Sequence, residues 1–367
     1  MSFVLFIILT IYVITIGLLI YGFFNVKKYR KKNLDPKTGF TIIVPFRNEA
    51  DNLPNLLNSF SKLNYPSDLF DVILVDDESA ESFQVSGFRF QLSVIDNIRV
   101  SNSPKKDAIS TAMKHVKTDW VITTDADCTV LENWLLTFDN YIQENEVSMV
   151  AGAVTYDCGN SFLHHFQQLD LTSLQGATIG SFGIKKAFMC NGANFAYKKS
   201  LFEKMNGFDG NNTIASGDDV FLLQKVVNLN QIGVHYLKAE EAIVHTKPTQ
   251  DWKSLFYQRV RWAAKTSSYQ SLFGRFLGLI VFFGNLSFVI GTVFLFFGIL
   301  SWQLFTLYAV LKFIIDFGLL YITNQFLTNS KIKYLVLSSL FYPFFSSAVA
   351  LYSLFGSYKW KGRSFKI

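Results

Sequence analysis

Residues Phe3 to Phe24 carry no charge, and a basic cluster of Lys27, Lys28, Arg30, Lys31 and Lys32 follows at once. A helix needs about 20 apolar residues to cross a hydrocarbon core. A secretory signal has a shorter apolar centre and a small-residue cleavage site. Neither is evident here, so residues 1–25 are expected to form an uncleaved anchor. The positive-inside rule places the basic side, and the chain after it, in the cytosol. The expected location is therefore a multi-pass protein of the plasma (inner) membrane with its middle region in the cytoplasm.

Three more apolar stretches close the chain: Phe276–Leu300, Gln303–Thr323 and Tyr334–Phe355. They predict about three further spans over residues 276–356, before a basic tail at 357–367. Lys312 and Asp316 lie inside the second stretch. A lone charge mid-helix costs about 2.5–3.5 kcal/mol on insertion scales, but at i,i+4 spacing the two share a face and can pair. They read as a packing ion pair, with a polar lining for a lipid or glycan as the alternative. Three spans after a cytosolic middle would put Lys359, Lys361, Arg363 and Lys366 outside. A re-entrant last segment, which Pro343 permits, would reconcile this.

Composition agrees. Only 17% of the 367 residues are charged and half are hydrophobic, against about 25% charged in soluble domains. The net charge of +6 sits largely in clusters beside apolar segments, which reads as topology rather than a nucleic-acid face. Cys128, Cys158 and Cys190 have no metal spacing, so three unpaired thiols in a reducing compartment are expected.

From about residue 38 to residue 250 the pattern changes. Phe40–Val44, Val72–Val75 and Trp120–Thr124 read as strands; Leu53–Leu63, Asp107–Val116 and Leu131–Ile142 read as helices. Such alternation predicts an α/β sheet with mostly parallel strands. Ligands in such sheets bind beyond the carboxyl ends of the strands. There the chain places Val44-Pro45-Phe46-Arg47-Asn48-Glu49, Asp76-Asp77-Glu78-Ser79 and Asp125-Ala126-Asp127. Acids crowded at one edge repel unless something cationic offsets them. Asp125 and Asp127, at i,i+2 after a strand, suit a hard divalent cation that also takes substrate phosphates. Neither a Walker A loop nor Gly-x-Gly-x-x-Gly occurs, and the five histidines show no metal spacing.

Further on, Gly217-Asp218-Asp219 opens a helix. Acids there cap the dipole, or one of them serves as a general base. Residues 251–271 mix apolar and basic side chains at helical spacing and include Gln258-Arg259-Val260-Arg261-Trp262. That segment reads as an interfacial amphipathic helix. Arg can also grip a diphosphate, and Trp offers a sugar a flat face.

Taken in order, these motifs resemble a membrane-anchored family 2 glycosyltransferase, similar to the catalytic units of cellulose, hyaluronan and poly-N-acetylglucosamine synthases and to ceramide glucosyltransferase. The resemblance covers about residues 40–265. It implies a GT-A nucleotide-sugar-binding sheet over 38–250 with helices on both faces. It implies Asp76 and Asp77 at the base and ribose, Lys106 at the nucleotide, and Pro45 and Glu49 among the substrate-binding residues. Asp125 and Asp127 would hold Mg²⁺ or Mn²⁺, with Asp127 the more direct ligand. Asp219 would be the catalytic base with Asp218 beside it. Gln258, Arg261 and Trp262 would lie near the diphosphate and acceptor.

The implied reaction is inverting and metal-dependent. A nucleotide-sugar, UDP-linked rather than GDP-linked, would give its sugar to a lipid-linked or membrane-proximal glycan acceptor, with membrane lipid around the helices and no nucleic acid partner. Glu78 departs from the family's usual Gly, and the base motif reads Gly-Asp-Asp rather than Thr-Glu-Asp. Few spans favour transfer of one sugar or a few over processive synthesis. A non-catalytic subunit with a degenerate transferase domain is the remaining alternative.

Overall fold

The computed structural model describes residues 2–80, 87–211, 214, 216–229, 233–360 and 363–366. In chain order the elements begin with α1 (Ser2–Asn25), β1 (Phe40–Phe46), α2 (Leu53–Ser61), β2 (Phe70–Asp76), β3 (Gln91–Asp96) and α3 (Pro104–Met113). Next come β4 (Trp120–Thr123), β5 (Cys128–Thr129), α4 (Trp134–Glu144), β6 (Met149–Gly152), β7 (Val154–Tyr156) and α5 (Phe162–Gly183). Then follow β8 (Phe195–Lys198), α6 (Lys199–Lys204), α7 (Asp218–Leu229), β9 (Val234–Leu237) and β10 (Val244–Thr246). The chain continues through α8 (Trp252–Ala264), α9 (Leu272–Phe296), α10 (Trp302–Leu327) and α11 (Leu335–Phe355) to β11 (Ser357–Trp360) and β12 (Arg363–Lys366). Lys361 lies outside the described residues.

Two compact units result. The sheet unit holds residues 27–157 and 189–247; the helical unit holds 1–26, 158–188 and 248–367. In the sheet unit, seven strands run in the order β3-β2-β1-β4-β8-β6-β9. β1 pairs in parallel with β2 and β4, and β2 with β3. β8 runs antiparallel to both β4 and β6. The sheet is thus parallel on one side, as the alternating pattern predicts, and mixed on the other. A second sheet, β5-β10-β7, lies in the same unit.

β1, β2 and β4 are buried on both faces, as parallel strands covered by helices are. Ile42, Val44, Val72, Leu74 and Ile122 are buried with Leu56, Leu57 and Phe60 of α2 and Trp134 and Phe138 of α4. Phe60 and Trp134 stack with ring centroids 6.2 Å apart.

Four helices, α1, α9, α10 and α11, are long and apolar enough to cross a membrane. α11 continues through Pro343 without a break, so the helix itself supplies no re-entrant turn. Lys312 Nζ lies 2.7 Å from Asp316 Oδ2, and the Tyr12 hydroxyl donates to Asp316 Oδ1 at 2.6 Å. Lys312 also sits 4.7 Å above the Tyr12 ring. The pair is closed on α1 and α10, which is the packing role.

α5 groups with these helices rather than with the sheet that precedes it in the chain. It carries three Gln, two Thr, two Ser and two His, so its composition does not announce the partnership. Its glycines do. A Cβ on Gly183 would fall on the Gly22 carbonyl, and one on Gly180 on the Leu19 carbonyl. Small residues at such spacing let helix backbones approach closely. Gly183→Val is accordingly expected to destabilise the protein by about 1–3 kcal/mol through overpacking. Gly17→Ala, where nothing lies within 4 Å, serves as control. Thermal midpoints in one detergent compare the two; equal midpoints would refute the close-approach argument.

Candidate active site

The parallel register brings the strand ends to one edge. Phe46 faces Asp76 across β1 and β2, and Ile43 faces Thr123 across β1 and β4. Because β8 is antiparallel, the residues before it, Asn191-Gly192, arrive at that same edge. The Thr123 hydroxyl donates to the Gly192 carbonyl at 2.7 Å, and the Gly192 N–H donates to Asp219 Oδ2 at 2.8 Å. The α7 N-terminus is thereby fixed against the β4 end. Gly217, at φ 84°, supplies the backbone turn into it.

Lys105 joins the acids. Its Nζ lies 2.6 Å from Asp125 Oδ1 and 3.5 Å from Asp218 Oδ2. Burial by itself pulls the Lys105 ammonium down; Asp125, then Asp218 and Asp219, overcome this and hold its pKa well above the ordinary lysine value. Asp125 and the helix-start acids Asp218 and Asp219 therefore share an internal cation. Asp218 is 8% exposed, whereas Asp219 is half-buried. Of the two adjacent acids, Asp219 is the one open to a ligand. Tyr197 lies buried beneath them, its hydroxyl pushed up by burial first and Asp218 second.

Lys106 goes elsewhere. It is 1% exposed, donates to the carbonyls of Asn211 and Ile214 at 2.6 and 2.9 Å, and lies 4.9 Å above the Phe221 ring. The family resemblance implies Lys106 at the nucleotide; in the structure Lys105 is the lysine among the acids. Successive residues on a helix diverge by about 100°, so one neighbour faces the site and the other the interior. A signal was present in the sequence. Two lysines in the first turn of α3 oppose the helix dipole, which is tolerable where nearby acids compensate.

Asp125 and Asp127 are both half-buried, in the tight turn between β4 and β5, where the Cys128 N–H donates to the Asp125 carbonyl at 3.1 Å. Among the described residues no group of three or more His, Cys, Asp or Glu is gathered to hold a metal. The protein thus offers two hard oxygen donors and an incomplete shell, which fits an ion that completes its coordination from water and phosphates. The Cys128 thiol is pushed up by burial and then by Asp127 and Asp125, so it is unsuited to ligation or attack.

Asp76 is half-buried, and its Oδ1 accepts from the Ser79 N–H at 2.9 Å. Asp77 is 5% exposed; Asn97 donates to it at 2.7 Å and Arg99 pairs with it at 3.4 Å. Arg47 donates to the Asp77 carbonyl at 2.5 Å, tying the β1 end to the β2 end. Asn48 and Glu78 adopt positive φ, 53° and 60°. Asn48 Oδ1 accepts from the Ala80 N–H, and the Asn48 N–H donates to Ser79 Oγ. Pro45 sits within β1, and Glu49 accepts from Asn52 at 2.6 Å.

A residue the sequence reading left unassigned is Asn194. It accepts from Trp134 Nε1 at 3.1 Å and donates to the Ala153 and Ala242 carbonyls, each at 2.7 Å. It braces the sheet under the site. Gln258, Arg261 and Trp262 belong to the helical unit, where all three are half-buried on α8.

Residues 41–205 match the family described as Glycosyl transferase family 2. Over those residues the chain is similar to family 2 glycosyltransferases. It is 25% identical over 248 residues to the probable glycosyltransferase YdaM of Bacillus subtilis, covering 65% of this chain and 57% of that one. It is 23% identical over 186 residues to the glycosyltransferase AglE of Haloferax volcanii, covering 49% and 58%. The chain thus spans somewhat over half the length of these curated relatives. Its fold is similar to that of the mannosyltransferase PcManGT from Pyrobaculum calidifontis, a structure in complex with GDP-Man and Mn²⁺. The TM-score is 0.62 with 16% identity, over 96% of this chain and 99% of that one. The GT-A sheet expected from the family 2 motifs is the sheet observed.

Proposed function

We propose that the protein is an inverting, metal-dependent glycosyltransferase that moves a sugar from a nucleotide-sugar to a lipid-linked or membrane-proximal acceptor at the cytoplasmic membrane face. The observation that carries the reading is the meeting of Asp125, Asp218 and Asp219 around one ammonium at the carboxyl edge of a family 2 domain. Four helices able to cross a membrane support the membrane setting.

Asp219, open and anchored by the Gly192 N–H, takes the proton of the acceptor hydroxyl. The acceptor oxygen then bonds to the anomeric carbon while the bond from that carbon to the diphosphate breaks. A single displacement converts an α-linked donor to a β-linked product. Asp125 and Asp127 would hold Mg²⁺ or Mn²⁺, and what the cation supplies when bound is charge neutralisation at the departing diphosphate. Lys105 adds a fixed positive charge beside Asp125. Asp76, with Asp77 braced behind it, suits the nucleoside hydroxyls. The side-chain chemistry of Gln258, Arg261 and Trp262 suits diphosphate and sugar. The structural relative bound to GDP-Man and Mn²⁺ is consistent with a nucleotide-sugar and a divalent ion.

The test is nucleotide release by detergent-purified protein across UDP- and GDP-sugars, with Mn²⁺, Mg²⁺ or EDTA, beside the Asp127→Asn variant. Release from one donor is expected with metal, and none with EDTA or in the variant. Release undiminished by EDTA would remove the metal. No release from any donor with membrane lipids present, together with no donor binding by titration, would overturn the enzyme reading.

A further inference from the structure

Arg259 stands inside Gln258-Arg259-Val260-Arg261-Trp262, yet nothing above assigns it a task. It is 5% exposed. Its Nε pairs with Asp170 of α5, itself 5% exposed, and the other Asp170 oxygen accepts from the Tyr342 hydroxyl of α11 at 3.0 Å. Arg259 Nη1 donates to Gln258 Oε1. The guanidinium carbon lies 4.2 Å from the Trp262 ring centroid, one helical turn along α8, where i and i+3 side chains meet. One side chain therefore touches two members of the motif and is held from α5, whose Asp170 is in turn held from α11.

A buried ion pair is weak support for stability, since apolar side chains of similar volume often serve as well. What this one supplies is direction. The guanidinium is a planar fork with several donors. Asp170 takes one edge, Gln258 receives another N–H, and the flat face covers the indole. A lysine could not satisfy all three from a single ammonium.

We propose that Arg259 is a positioning residue: clamped by Asp170, which Tyr342 in turn holds, it sets the orientation of Gln258 and Trp262 for a nucleotide-diphosphate sugar or its acceptor. The inference rests on the proposed donor and acceptor role of Gln258 and Trp262. It also predicts that α5 and α11 influence transfer without touching substrate.

The experiment uses the full chain in detergent, labelled with fluorotryptophan, with the Trp262 fluorine resonance identified by its loss in Trp262→Phe. Arg259→Lys and Asp170→Asn are expected to shift or broaden that resonance and leave those of Trp120 and Trp134 in place. Tyr342→Phe, which keeps the ion pair and removes one hydrogen bond, is expected to move it less, and it serves as the readout if the other two fail to fold. With the donor found active, kcat/KM should fall about 100-fold in Arg259→Lys, the scale of a small misplacement remote from the chemistry. An unmoved Trp262 resonance in a folded variant would overturn the proposal. The resonance reads orientation whether or not a donor is turned over, so failure of the clamp and failure of the transferase reading give different results. A displaced Trp262 with kcat/KM unchanged would overturn the functional half.

Discussion

Asp219→Asn is expected to reduce transfer by about 10²- to 10⁴-fold, the usual contribution of a positioned general base. Asparagine has the same shape and can still accept from the Gly192 N–H through its amide oxygen. It cannot take the acceptor's proton. In the native chain Asp219 Oδ1 also accepts from the Val220 N–H at 2.7 Å, and one of these two hydrogen bonds is lost, at a cost of about 1 kcal/mol. The variant should therefore fold and bind donor while releasing almost no nucleotide. Nucleotide release, donor titration and thermal midpoint measured together separate the two effects. Full activity in the folded variant would remove Asp219 from the role of base. Asp218, nearly buried against Lys105, should respond differently: its replacement should act first on stability.

Lys105→Met carries the second large effect. It strips Asp125, Asp218 and Asp219 of their shared cation. Removing one partner of a fully buried pair costs about 3–5 kcal/mol. The Asp125 side chain is 39% exposed, so solvent screens part of the loss, and about 2 kcal/mol is the expected destabilisation. If Asp125 holds a divalent ion, as proposed, Lys105 and that ion would compete for the same carboxylate. Mn²⁺ should therefore raise the thermal midpoint more in Lys105→Met than in the unaltered chain, because ligand binding to the native state stabilises it in proportion to affinity. Equal Mn²⁺ shifts in both proteins would show that Lys105 does not occupy the cation's place.

Much of the site was legible because it follows from local pattern. The runs Phe40–Val44, Val72–Val75 and Trp120–Thr124 fall within or end beside β1, β2 and β4. The acids after them reach one edge because the three strands are parallel. α2, α3 and α4 begin within three residues of the positions read from helical periodicity, close enough to place the motifs. The apolar stretches correspond to α1, α9, α10 and α11.

The illegible parts share one cause. Lys105 and Lys106 are chemically identical neighbours, and only the rotation of α3 decides which meets Asp125 and which meets Asn211. Asp218 and Asp219 are separated in the same way by α7. The polar composition of α5 kept residues 158–188 within the expected sheet domain, whereas Gly180 and Gly183 dock α5 on α1 at a distance that composition does not encode. Nothing local distinguishes the task of Arg259 from that of Arg261, because its partner Asp170 lies 89 positions earlier.

The sequence by itself determined the family 2 resemblance, the apolar helices and the strand-end carboxylates, because strand alternation, apolar length and acid placement are properties of neighbouring residues. Only the tertiary structure decided which lysine neutralises the acids, which aspartate stays open, and what holds the α8 motif. Those outcomes depend on helix rotation and on partners far apart in the chain, and close packing sets both.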